Sequence, residues 1–526
     1  MKKNILLCFV LVIALVISLV GCSGGTTTGG ETESPKIAFY GYFVDPLLNW
    51  DPSLNVSNGV HVMNNMYETL LRYNTLEDRF ENVLATGYDV SEDGLTWTFY
   101  LREDVKFHDG TDFDADAVKF SIERTIEKGQ GDAYIWDEVE EINIIDDYTI
   151  EFELANAVPL DLIASAPKSA YIYSPTAVRE NGEDWFLDGN EAGSGPYMLR
   201  SYNMGSDIVL ERFDDYWGGW QDNQIDMAVT QWVGESAVRR QMIEAGEADA
   251  VNQLPSEDID ALLNNENVNV HVDKTIKLYL ACLNTQKPPL DDVNVRKAVA
   301  YAFPYDDVIE YALGGYAEQT HGSVPSSLWG CSKDLHQYTT DMEKARELLD
   351  NAGYAEGEIE LLMTYSATNE SQRQTAEMFK SNLAEIGVDL EIRGLNWDSQ
   401  SSMSRSENIA DQQHIYLQYS FANMATPANF LQKLFRTEQA INYNLSYYSN
   451  PEYDALIEEG YKLSSTDRDR AEELFIEAQE IIMEDCPAIF IADVYDVWVF
   501  NKRLKGFTPD PAYTMIMRFY DAYIEE

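Results

Sequence analysis

The sequence predicts an α/β protein built from at least two lobes. Three observations carry that expectation. Strand and helix patterns alternate along the body, with two consecutive β-α units between residues 341 and 395. About 490 residues follow an N-terminal leader and tether, whereas one core stops growing near roughly 250–300 residues. The chain ends in strands after a long helical run, which lets it return to a sheet begun much earlier.

Each element follows from a local pattern. Lys36 to Phe43 (KIAFYGYF) reads as a strand by its apolar and aromatic content. Val60 to Tyr73 places Val60, Met63, Tyr67, Leu70 and Leu71 at helical spacing. Leu95, Trp97, Phe99 and Leu101 alternate, as do the residues of Tyr148 to Leu154, and both stretches read as half-buried strands. In DMEKARELLDNAG, the residues Met342, Ala345, Leu348, Leu349 and Ala352 form one stripe, and Gly353 sits where a C-terminal cap wants a left-handed residue. EIELLMTY is the next strand. SQRQTAEMFKSNLAEIG is a helix ending at Gly387, and VDLEIRGL is a further strand. CPAIFIADVYDVWVFNKRLKGF reads as one or two strands.

The N-terminus reads as an export signal. Lys2 and Lys3 precede an uncharged apolar run from Ile5 to Val20, shorter than the roughly 20 residues that span a bilayer. Leu19, Val20, Gly21 and Cys22 then resemble the lipobox of bacterial lipoproteins. That resemblance implies cleavage before Cys22 and diacylation of its sulfur. SGGTTTGGETESP is small and polar, a flexible tether. Acyl chains contribute about 0.8 kcal/mol per buried methylene, and two hold a protein stably at a membrane.

Composition narrows the partners. A net charge of −53 repels phosphate backbones and argues against nucleic acid. It mildly favours cationic or neutral ligands. Aromatics make up 12% of the chain, enough to furnish both cores and a stacking cleft. Cys8 leaves with the leader and Cys22 takes lipid. Cys282, Cys331 and Cys486 remain, an odd number at wide spacing, which is neither a disulfide framework nor a zinc set.

LREDVKFHDGTDFDADAVKF, residues 101–120, is the one stretch that resembles a catalytic or metal site. His108 and Asp109 are adjacent, however, and adjacent strand residues point to opposite faces. Asp112, Asp114 and Asp116 lack the glycine and distal glutamate of a calcium loop. A turn at Asp109-Gly110 and a helix cap at Asp114 or Asp116 account for the same residues. No Walker loop, HExxH or GxGxxG is present, and no two histidines lie three or four apart. Neither a cofactor nor a metal ion is expected.

DGLTWTFYLREDVKFHDGTDFDADAVKFSIERT resembles the signature of the family 5 extracellular solute-binding proteins, the dipeptide, oligopeptide and nickel-binding group of ABC importers. GSGPYMLRSYNMGSDIVLERFDDYWGG, MIEAGEADAV, LNTQKPPLDDVNVRKAVAYAF, YYSNPEYDALI and VFNKRLKGF are similar to later landmarks in the family's order. The resemblance implies a two-lobed periplasmic-binding-protein-like (type II) fold with a hinge and an additional small α/β domain. It divides the chain into a signal peptide (1–21), a tether (22–33), lobe I (34–66, 190–270 and 488–526), an extra domain (67–189) and lobe II (271–487). It implies no enzyme but a monomeric lipoprotein at the extracytoplasmic face of the cell membrane, in the periplasmic space where an outer membrane exists. Such a protein hands a peptide or other small oligomeric solute to ABC permease subunits.

The ligand class stays open at this level. The family's peptide binders hold the ligand amino terminus with an aspartate in a Trp-x-x-Asp segment. In QYSFANMATPANFLQKLF the aspartate is replaced by Asn423 and the tryptophan by Ser420. A charged acceptor becomes a neutral amide, and charge-assisted bonds are about twice as strong as neutral ones. An oligosaccharide therefore stands beside a peptide as ligand. By position, Tyr42, Tyr134, Trp136, Trp397 and Phe421 join Asn423 as ligand contacts, with core packing as the alternative for each. A secreted glycoside hydrolase, with two carboxylates about 5–9 Å apart, is the rival of another class.

Overall fold

The computed structural model describes residues 34–43, 50–54, 59–75, 77–422, 424–439, 441–507, 509–510, 512–513 and 516–525. It is a mixed α/β structure. Strand β1 (Ile37–Tyr42) opens the chain, and β2 (Leu71–Asn74) pairs with β3 (Arg79–Asn82) as a hairpin. β4 (Ala85–Val90), β5 (Thr96–Leu101), β6 (Val139–Asp146) and β7 (Thr149–Leu154) make an antiparallel sheet in the order β4-β5-β7-β6. β8 (Tyr197–Asn203), β9 (Asp207–Arg212), β10 (Met227–Trp232) and β11 (Ala250–Asn252) follow, then the long β12 (Val268–Leu283) and the short β13 (Ala317–Glu318). β14 (Ile359–Ser366), β15 (Val388–Leu395), β16 (Ile415–Ser420) and the long β17 (Ala488–Asn501) complete the large sheet.

That sheet runs β15-β14-β16-β12-β17-β11-β1-β10-β9-β8, with β13 also on β17. The chain does return late to an early sheet: β17 pairs antiparallel with both β11 and β12. Three hydrophobic cores form around this framework. The first gathers Tyr40, Tyr197, Ile208, Trp498 and Phe519. The second, under the four-stranded sheet, gathers Trp97, Phe99, Phe107, Val118 and Phe152. The third gathers Leu280, Val299, Phe379, Phe430 and Ile489. Each fully buried Leu, Phe or Ile contributes about 1.5–3 kcal/mol. β17 serves two of the cores, Ile489 to Val494 in the third and Trp498 and Phe500 in the first.

Local signals explain most elements. Asp114 caps the helix Ala115–Lys128, accepting from Ala117 N at 3.1 Å, and Gly129 ends it in the left-handed region. Val118, Ser121 and Ile122 are buried as their spacing requires. Gly353 ends the helix Met342–Ala352 at φ 84°. One element differs from expectation. The helix begun at Val60 stops at Met66, and Tyr67 turns extended at φ −113°, ψ 149°. Tertiary partners claim the next residues: Glu68 bridges to Ile172, and Leu71 enters β2.

Glu68 explains that override. Its buried carboxylate accepts from Ser194 Oγ (2.9 Å), the Tyr216 hydroxyl (2.9 Å) and Trp217 Nε1 (3.0 Å). Burial pushes its carboxyl above the ordinary range, and these three donors pull it back. The GSGPY and DYWGG landmarks thus converge on one acid. Gly195 N donates to Met66 O at 2.8 Å, and a Cβ on Gly193 would sit 1.9 Å from that same oxygen. Only glycine allows the approach.

The histidine of FHDG belongs to this junction. His108 Nδ1 lies 2.7 Å from Glu191 Oε2, and Nε2 lies 2.9 Å from Gly195 O. Both partners are acceptors, so both nitrogens donate when the ring is an imidazolium. Burial opposes the charge, but the Glu191 carboxylate and the Gly195 carbonyl outweigh it and raise the pKa. Asp109 accepts from Thr111 N and closes the turn, and Gly110 is left-handed at φ 85°. Asp116 pairs with Arg179 at 2.7 Å. The cluster holds the fold.

A raised histidine pKa adds stability that is complete below about pH 6.5 and fades as pH rises through the folded value. His108→Gln is therefore expected to lower the melting temperature more near pH 5.5 than near pH 9. Equal losses at the two pH values would contradict the charged pair. Gly193→Ala is expected to cost about 3 kcal/mol or more in urea unfolding, because the added methyl meets backbone that is itself hydrogen-bonded.

Candidate functional site

The sequence-derived candidates divide by burial. Tyr134, Trp397 and Phe421 are 42%, 70% and 39% exposed. Trp397 opens the helix Trp397–Ser404, capped by Asn396, and Phe421 follows β16. Tyr42 and Trp136 are buried, as the alternative of core packing expects. Tyr42 stacks on His61 at 3.8 Å inside the first core. Trp136 stacks on Phe152 and gives its indole N–H to Ser169 O at 2.8 Å. Tyr134 and Trp136 share the 3-10 turn Ala133–Trp136. At three residues per turn, side chains two apart diverge by about 120°, so one faces out when the other faces in. Cys22 and Asn423 lie outside the described residues.

The structure brings the Tyr134 turn and the Phe421 loop to opposite sides of one junction. Asp132, two residues before Tyr134, pairs with Lys168 at 3.8 Å. Lys168 stands between Ala166 and Ala170, both in the second core. Facing it is Lys433, on the helix Pro427–Phe435, whose Phe430, Leu431 and Phe435 belong to the third core. The Lys433 ammonium donates to Phe421 O at 3.3 Å and lies 5.1 Å from the centre of the Tyr443 ring. Among the described residues it forms no ion pair. Burial pushes its pKa down to about 8; Lys168 adds to that push and Asp132 opposes it. Met424 reaches across into the second core, and Leu162 reaches back into the third.

A cavity of about 20 Å³, room for one water-sized group, opens at the same junction. Its walls include Tyr67, Tyr73, Val83 and Tyr513, which between them touch all three cores. Ser165 and Pro167 connect it to Lys168. Two guanidiniums face into it. Arg72 is one-third exposed, and its only ion pair among the described residues is a long 3.8 Å contact to Glu81. Arg518 pairs with Asp510 at 2.8 Å through one nitrogen, and its buried Nε has no partner among the described residues. Burial lowers the pKa of Arg72, and Arg518 lowers it further, so the two cations feel one another. The arrangement suits recognition: converging donors, aromatic walls and cations without full neutralisation.

A family model described as bacterial extracellular solute-binding proteins, family 5 middle, matches residues 79–442. The chain belongs to this family. It is 28% identical over 471 residues to the probable D,D-dipeptide-binding periplasmic protein DdpA of Escherichia coli (strain K12), covering 88% of this chain and 89% of the relative. It is 29% identical over 452 residues to the glutathione-binding protein GsiB of Pectobacterium atrosepticum, covering 85% and 86%. Among solved structures, the ABC transporter-associated periplasmic binding protein DppA of Helicobacter pylori, in complex with the peptide STSA, superposes with a TM-score of 0.80. That match has 25% identity over 93% of this chain and 98% of that one.

In this solute-binding protein the cations at the junction are what residue patterns missed. They come from positions 72, 168, 433 and 518, and no spacing links them. The available signal is scarcity, 37 Lys and Arg against 90 Asp and Glu, which makes two cation pairs, Arg72 with Arg518 and Lys168 with Lys433, notable only once the fold has assembled them. The buried aromatics are separable from the exposed ones. Trp136→Ala is expected to cost about 3–5 kcal/mol of stability by chemical unfolding, whereas Trp397→Ala is expected to change it by less than about 0.5 kcal/mol.

Proposed function

We propose that this chain is the solute receptor of an ABC importer, and that its solute is a peptide. Lipid on Cys22 holds it to the outer face of the cytoplasmic membrane. Residues 34–66, 190–270 and 488–526 form one lobe, 271–487 the other, and 67–189 the additional domain of the first. The observation that carries the reading is the junction itself. Exposed aromatics and under-neutralised cations meet where three separately packed bodies adjoin, on a framework of strands shared between two of them. The names of the relatives, dipeptide-binding and glutathione-binding, favour a peptide over an oligosaccharide. Tyr134, Trp397, Phe421 and Asn423 are the contacts proposed on the ligand.

The mechanism requires no bond-making. A ligand held between lobes shifts the population toward closure only by its preference for the closed arrangement. The permease then reads closure. A hydrolase would need an acid and a base placed on one bond; a receptor needs only differential contact.

A thermal-shift screen of the purified protein against defined di- to hexapeptides and oligosaccharides tests this. Peptides are expected to raise the melting temperature, by an amount equivalent to about 2.7 kcal/mol at a hundredfold excess over Kd. Mass spectrometry is expected to recover them intact. Stabilisation by oligosaccharides alone, or cleavage of the added ligand, would overturn the proposal.

A further inference from the structure

The second and third cores also meet at the tip of the β2–β3 hairpin. Asp78 sits in that turn at φ 48°, a conformation that residues other than glycine seldom adopt. Across from it, Arg468 opens the helix Arg468–Asp485, which Asp467 caps. One terminal nitrogen of Arg468 lies 2.9 Å from each carboxylate oxygen of Asp78, 390 residues away in sequence. The guanidinium carbon stands 4.5 Å from the centre of the Trp329 ring, and Trp329 packs on the third core. Tyr73 donates its hydroxyl to the same carboxylate. Burial raises the Asp78 carboxyl, but Tyr73 and Arg468 outweigh it and hold it below its ordinary range. The contact has neighbours on both sides. The Thr466 methyl would stand 3.2 Å from a Cβ on Gly94, in the turn between β4 and β5. Tyr461, on the helix Pro451–Leu463, packs against both cores. Among the described residues, neither Asp78 nor Arg468 belongs to one of the three cores. Their side chains stay 52% and 40% exposed, so water resolvates both when they part. A buried pair would resist parting, whereas an exposed one reopens at little cost.

We infer that Arg468 and Asp78 form a latch, which holds the 67–189 body against the helices of residues 451–485 in the closed arrangement and so sets solute affinity without touching solute. The inference rests on the two-lobed receptor reading above, in which those two parts lie on different lobes. Affinity follows from linkage. A solute that requires closure binds more tightly when a contact made only on closure raises the closed population. Trp329 positions the guanidinium by stacking, and Tyr73 positions the carboxylate. Both partners of the latch are therefore positioning residues. An exposed pair acts over a short range of free energy, so the effect is several-fold and not many orders of magnitude.

The test is titration calorimetry on the full chain with di-, tri- and tetra-alanine as probes. It compares the unchanged protein with Arg468→Gln, Arg468→Lys, Asp78→Asn and the double variant Arg468→Gln/Asp78→Asn. Arg468→Gln and Asp78→Asn are each expected to weaken binding about three- to tenfold. The double variant is expected to lose no more than either single one, because the two residues act as a unit. Arg468→Lys keeps the cation but not the flat group stacked on Trp329, and is expected to fall between. The loss in Arg468→Gln is expected to shrink at about 1 M salt, which screens an exposed pair. A pair that only supports the fold would lower the melting temperature and leave affinity alone. Unchanged affinity in Arg468→Gln, or losses that add in full in the double variant, would therefore overturn the latch. If none of the three probes binds the unchanged protein, that failure belongs to the peptide reading, and small-angle X-ray scattering of the ligand-free protein decides the latch. A larger radius of gyration in Arg468→Gln than in the unchanged protein supports it, and equal radii overturn it.

Discussion

The pairing of β12 with β17 is the constraint on which the rest depends. These strands, 16 and 14 residues long, run antiparallel from Val268↔Asn501 to Cys282↔Ala488. The two ends of β17 lie in different cores, and the C-terminal half of β12 lies in the third. Between the ends the register shifts twice, at Asp273/Lys277 and at Tyr279/Leu280. Buried polar groups gather near the first shift. Thr275 Oγ1 donates to Val494 O at 2.6 Å, and Trp498 Nε1 donates to Asp496 at 2.9 Å. Burial raises the Asp496 carboxyl to about 6, with Lys277 opposing that shift. A continuous apolar seam would fuse the two cores into one. Bulged strands with a polar middle join them while leaving each its own interior.

The second fixed point is the buried hub around Glu68. It unites the segment after the first helix with the GSGPY and DYWGG landmarks, and His108 pins the FHDG turn to the same place through Glu191 and Gly195. A charged group in a core is costly unless every partner is present. Here the partners come from four separate stretches of sequence, so the hub is satisfied only in the native arrangement. Its polarity therefore serves specificity of assembly. Glu68 also lines the cavity that Arg72 and Arg518 face. The same backbone turn that ends the first helix at Tyr67 thus positions both the structural acid and one wall of the cavity.

What residue patterns alone determined was local and periodic. Alternation at Trp97, Phe99 and Leu101 specified a one-sided strand, because side-chain direction repeats every two residues. Asp114 and Gly353 marked helix ends, because orphan N–H groups and left-handed caps are satisfied within a few residues. The ordered family landmarks carried the two-lobed class. What only the tertiary structure decided depends on groups far apart in the chain. The helix expected through Tyr73 ended at Met66 because Glu68 found partners 126 to 149 residues away. Trp136 and Tyr134 read alike as aromatics, and only the turn they share sent one inward and the other outward. The cations of the junction carry no pattern, since electrostatic convergence depends on distance in space and not on separation along the chain.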